Sequence, residues 1–175
     1  MLRPIGLTCA TIMLALIPFA AQAQDSEVLF SHKHWQVEVV GFEDGTFGCV
    51  AQVTAPGESF SLWLFPNASA RLQFYSQEWE FESSTANLQI EVDRRGFWAL
   101  TNAELYMNSV LFDIPGSNDG ARLLDEIAAG QRLYLRDESG SGVKDYSLSG
   151  SRASMGALAE CGSVIADVAP ANPFN

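Results

Sequence analysis

From residue 35 to about residue 112, apolar and polar side chains alternate with a period close to two. That spacing places one side of an extended strand in a core and the other in water. Trp35, Val37 and Val39 alternate with Gln36 and Glu38, and Phe47, Cys49, Ala51 and Val53 line one side of the next run. Asp44-Gly45 between them is a strong hairpin signal, because a tight turn needs residues that tolerate positive φ. Pro56-Gly57 turns the chain into residues 60–65. Trp79 and Phe81 alternate with Glu78, Glu80 and Glu82, and Leu88, Ile90 and Val92 repeat the pattern. Arg94-Arg95-Gly96 leads into 97–101, and runs at 105–107 and 110–112 complete the series. Short strands separated by closely spaced turn signals predict a mainly β protein, an antiparallel β-sandwich or barrel-like meander.

The period changes after Pro115-Gly116. Leu123, Leu124, Ile127 and Ala128 stand at helical spacing, with Asn118 or Asp119 as the cap and Gly130 as the stop. A strand with Leu133 and Leu135 on one face follows, then a polar loop at 137–142 and a strand ending in Tyr146 and Leu148. A second helix is expected from about Ser151 to Cys161, capped by Ser149 or Ser151, with Met155, Leu158 and Ala159 inward. The fold thus carries two short helices near the C-terminus.

The ends bound the domain. Arg3, an apolar run at 5–21 and Ala21-Gln22-Ala23 read as a signal peptide over 1–23. A single β-rich domain is expected over 24–162, and 163–175, with Pro170 and Pro173, reads as a disordered tail. The product is expected to be periplasmic or secreted, without stable membrane insertion.

Charge narrows the partners. A net charge of −11 repels phosphate backbones and anionic lipid, which argues against nucleic acid. Cys9 leaves with the leader, so Cys49 and Cys161 remain, and in an oxidising compartment they read as one disulfide. No C-x-x-C motif supports redox chemistry or a thiolate zinc site.

Candidate chemistry is sparse. The serine-rich stretch YSLSGSRASMG lacks the G-x-S-x-G spacing of a nucleophile elbow and has no obvious base. His32 and His34 would share one face of a strand, yet two ligands do not close a metal site. Glu78, Glu80 and Glu82 are accounted for by a solvated strand face, and no cofactor is expected. Aromatic side chains are the stronger lead. Trp63, Phe65, Phe74, Tyr75 and Trp98 lie where adjacent strand positions are also apolar, so they form either a second buried layer or an exposed patch for a protein partner. These residues suggest a non-catalytic exported binding or envelope-associated protein. A small periplasmic hydrolase using carboxylates or the serine-rich turn is the alternative.

Two segments resemble the invasion-associated locus B family of exported alphaproteobacterial proteins. Trp35-Gln36-Val37 followed by Cys49-Val50-Ala51-Gln52 is similar to that family's tryptophan strand and C-x-x-Q-like strand. Residues 123–135, LLDEIAAGQRLYL, and Tyr146-Ser147-Leu148-Ser149-Gly150 are similar to its helix, following strand and final helix entry. Where the family has a cysteine shortly after the tryptophan, this chain has Val39. The resemblance implies a β-rich periplasmic or surface protein linked to host-cell invasion or envelope function, with no catalytic residues to carry over.

Overall fold

The structure, a computed structural model, describes residues 25–168. The expected leader lies outside the described residues. Ten strands and two helices follow in the order β1 (Ser26–His32), β2 (Trp35–Gly41), β3 (Phe47–Ala55), β4 (Glu58–Leu64), β5 (Ala70–Ser76), β6 (Phe81–Val92), β7 (Phe97–Met107), β8 (Ser109–Ile114), α1 (Asn118–Ala129), β9 (Arg132–Asp137), β10 (Gly142–Ser147) and α2 (Ser151–Val168). All ten strands join one antiparallel sheet in the order β1-β2-β3-β4-β5-β8-β7-β6-β9-β10. The first five form a meander. The chain then skips outward to β6 and fills the gap by returning through β7 and β8.

The expected mainly β, antiparallel fold is therefore present, as one sheet folded back on itself. Tyr146 of β10 shows how: its ring lies 5.8 Å from both Phe60 of β4 and Phe74 of β5, centroid to centroid. Trp35, Phe60, Phe74, Leu72, Leu100 and Leu133 are fully buried between the two halves. Each such side chain contributes about 1.5–3 kcal/mol relative to leaving it in water. The Asp44-Gly45 hairpin forms as expected, with Asp44 accepting hydrogen bonds from the backbone and hydroxyl of Thr46.

Both helices lie on the concave side. Ser117, one residue before the expected caps, accepts a hydrogen bond from the Gly120 N–H and starts α1. Leu123 and Ile127 bury α1 in the core. The second helix packs across β1–β4, most closely on β3. It runs to Val168, well past Gly162, which corrects the expectation of a tail beginning at 163. Ser151, Ser154, Leu158, Cys161 and Ile165 are its buried residues, and their 3-4-3-4 spacing is one helical face. Ile165 extends that face beyond the glycine, and packing outweighs the modest helical cost of Gly162. Residues 169–175 of the expected tail lie outside the described residues.

Cys49 and Cys161 stand at disulfide distance, Cα–Cα 6.0 Å, and join β3 to α2. Among the described residues no helix is long and apolar enough to cross a membrane.

Candidate functional site

Strand parity decides which aromatics can meet a partner. On β4 and β5, Phe60, Leu62, Leu72 and Phe74 point to the concave side, while Trp63, Arg71, Gln73 and Tyr75, with Phe65 just past the end of β4, lie on the convex side. Phe74 is 0% exposed, so it is a core residue and is corrected out of the partner-binding set. Trp98 is partly buried and engaged within the chain. Its indole N–H donates to Glu126 Oε2 at 2.9 Å, and the Arg122 guanidinium lies 5.3 Å over its ring. The helix α1 thus occupies the face that Trp98 would have offered.

Trp63, Phe65 and Tyr75 remain on the convex surface. The Trp63 and Phe65 rings are nearly parallel, 9° apart with centroids at 6.3 Å, and Phe42 flanks Trp63 at 6.2 Å. Gly48 makes this row possible. A Cβ there would come within 3.0 Å of the Phe42 ring and 3.5 Å of Trp63. Val40 and Val50 are buried on this same side of the sheet, so the rings act partly as the second apolar layer and partly as exposed surface. Among the five aromatics the two readings divide: Phe74 and Trp98 are internal, Tyr75 is exposed, and Trp63 and Phe65 are half-buried.

Polar neighbours hold the row in place. The Trp63 indole N–H donates to Gln73 Oε1 at 2.9 Å, and the Gln73 amide donates to Ser109 Oγ at 3.1 Å. Arg71, beside Trp63 in the register, forms a two-pronged pair with Asp113 at 2.6 and 3.1 Å. That hydrogen bond holds the Asp113 carboxyl below its ordinary value and raises the Arg71 guanidinium. Tyr75 and Tyr106 flank Ser109 across β5, β8 and β7. Tryptophan, tyrosine and arginine on a stiff sheet are the residue types that most often anchor protein interfaces. Phe42, Gly48 and Gln73 were not singled out by sequence; a glycine inside an apolar strand was the available signal.

The other candidates are otherwise placed. Ser151 Oγ donates to the carbonyls of Ile127 at 2.9 Å and Ala128 at 3.2 Å, and Ser154 Oγ donates to the Gly150 carbonyl. Ser149 Oγ accepts from Lys33 Nζ at 3.0 Å. Neither expected serine cap is used. Gly150, at φ 109, precedes the helix, and its carbonyl accepts the Ser154 N–H. His32 ends β1 and His34 follows Lys33 (φ 56) in the turn, so the two imidazoles do not share a strand face. Glu78 precedes β6 and pairs at 2.8 Å with Lys144, which also meets Glu58 at 3.0 Å. Both hydrogen bonds, Glu78 first, raise the Lys144 ammonium, and the one to Lys144 lowers Glu78. Tyr146 lies beneath this side of the sheet; burial first, then Glu58 and Asp145, push its phenol well above the ordinary range. Among the described residues no group of three or more His, Cys, Asp or Glu is arranged to hold a metal.

No protein-family model, curated protein or solved structure matches the chain.

Proposed function

We propose that the chain is an exported, non-catalytic binding protein of the periplasm or cell surface, whose protein partner docks on the convex face of β4 and β5. One observation carries this reading: a pre-aligned row of half-buried rings, Phe42-Trp63-Phe65, shares with Arg71, Gln73 and, at the far end of β5, exposed Tyr75 a face that neither helix covers. Rings already fixed by Gln73 and Gly48 lose little conformational freedom on binding, which favours affinity. The apparent leader and the paired cysteines support export, and an envelope or invasion-associated role accords with the family that the sequence resembles.

The test places a photo-crosslinking residue at Tyr75, with a control at exposed Asp125 on α1. Adducts recovered from the cell envelope should be specific to position 75 and should vanish in Trp63→Ala and Phe65→Ala. Equal adducts from both positions, or adducts that survive loss of both rings in folded protein, would sink the assignment.

The hydrolase alternative is favoured by one contact, Lys33 Nζ with Ser149 Oγ, beside a cavity of about 410 Å³ lined by Lys33, Gly150, Ser151 and Arg152. A lysine that activates a serine needs an amine sheltered from water. Lys33 is exposed, which is why binding is preferred. Labelling of Ser149 by a fluorophosphonate would reverse that preference.

A further inference from the structure

The concave side of β1 offers a surface separate from the aromatic face. Leu29 and Phe30 of β1 and Val39 of β2 face Ala157, Val164 and Ile165 of α2 across a cavity of about 380 Å³. The β1–β2 register slips between Val28 and Phe30, leaving Leu29 unpaired in a bulge, a device that re-aims a side chain. Leu29 is 49% exposed and Val164 is 62% exposed, so the crease has apolar walls open to water. As the terminal strand of the sheet, β1 also has one edge of backbone N–H and C=O groups with no neighbouring strand among the described residues.

The charged side chains nearest this crease are carboxylates, and the His32 imidazole lies 6.4 Å from the Phe30 ring, centroid to centroid. Glu160 stands in its wall, Glu27 is opposite Val39 in the register, Asp25 precedes β1, and Asp167 follows Ile165 by two residues. The only cation of α2 is Arg152, in its first turn, several turns away. An occupant must therefore be apolar where it enters and positively charged where it leaves.

We propose that the crease binds an extended peptide segment that adds to β1 as a further strand, with two or three alternating apolar side chains and Lys or Arg between or beside them. Strand addition uses both features together. The free edge receives main-chain hydrogen bonds, and alternate side chains drop beneath the flank of α2. A second copy of this chain is disfavoured, because its own β1 would bring Glu27 and Asp25 against the same acids.

The experiment titrates the purified full chain with a labelled nine-residue peptide alternating Leu with Lys, and with its Leu/Glu counterpart, by fluorescence anisotropy. The lysine peptide should bind, weaken as salt rises, and slow amide hydrogen exchange across Ser26–His32. Val164→Lys and Leu29→Lys change exposed side chains, leave the fold intact, and should each weaken binding by about tenfold or more, as expected for residues at the centre of an interface. Trp63→Ala, on the opposite side of the sheet, should leave it unchanged, so this test stands or falls apart from the convex-face assignment. Equal binding of the glutamate peptide, or binding indifferent to both lysine substitutions, overturns the proposal. Self-association lost on the same substitutions gives the crease to a second copy. Binding gained only when the chain is ended at Val168 gives it to residues 169–175. Either result overturns it too.

Discussion

Replacing Ser151 with alanine tests how the two helices are joined. The Ser151 hydroxyl, 1% exposed, donates to the Ile127 and Ala128 carbonyls at the end of α1. The last four carbonyls of a helix lack partners inside it, and a buried carbonyl left unpaired costs about 1–3 kcal/mol. Ser149 bonds only exposed Lys33 and the Ser147 hydroxyl, so Ser149→Ala should stay within about 0.5 kcal/mol of the parent. In a chain of this size each kcal/mol shifts Tm by roughly 2–4 °C, so Ser151→Ala should lower Tm by about 2–12 °C. Scanning calorimetry and urea titration followed by tryptophan fluorescence read both variants. A neutral Ser151→Ala beside a damaging Ser149→Ala would refute the inter-helix bond and restore Ser149 as a helix cap.

Three further outcomes follow from other parts of the molecule. Reduction, or Cys49→Ala with Cys161→Ala, opens a loop of 112 residues and should cost about 4–5 kcal/mol in the chain-entropy model; identical urea midpoints with and without reductant would show that no bond forms. Ile165→Ala should cost about 2–5 kcal/mol, whereas exposed Val164→Ala should be near neutral, and equal small effects in urea titration would deny that the helix packs beyond Gly162. The Asp93 carboxyl is held below its ordinary value first by the Gln131 N–H and also by the Arg132 N–H. Its folded pKa lies below the unfolded 3.8, so its stabilisation is whole above that value and is lost as pH falls through the folded pKa. Asp93→Asn should therefore flatten the acid limb of a stability–pH curve, and an unchanged limb would contradict the assigned hydrogen bonds.

Alternation alone was enough to read the β-class, the Asp44-Gly45 hairpin and the core side of β2 and β3. It failed where the physical cause lies outside the local pattern. β1 escaped notice because the bulge at Leu29 breaks its period. β6 is one 12-residue strand that the sequence divides, since Ser83, Ser84 and Thr85 are polar yet still pair with β7 or continue its path. Of the inward stripe expected for α2, Leu158 is buried, Met155 half-buried and Ala159 exposed, and serines expected at the cap complete the face instead. Here two of them are buried against carbonyls, with Leu158 and Ile165 on the same side. The candidate site was half legible. Sequence shows that Ser61-Leu62-Trp63-Leu64-Phe65 is apolar on both sides, but which side is covered depends on helices distant in sequence. That is why Trp63 and Phe74 look alike on paper and differ in burial.

The cysteine pair has a mechanical consequence. When bonded, it short-circuits the chain from β3 to the eleventh residue of α2. A pull on the two ends would peel β1 and β2 from β3 and unwind the last turns of α2, then meet a covalent stop. The aromatic face from Trp63 to Tyr75 lies wholly within the shielded loop. The crease beside β1 is built partly from the segments that yield first. One surface would persist under traction and the other would be dismantled by it, so a protein tethered at an end could lose one partner while holding another.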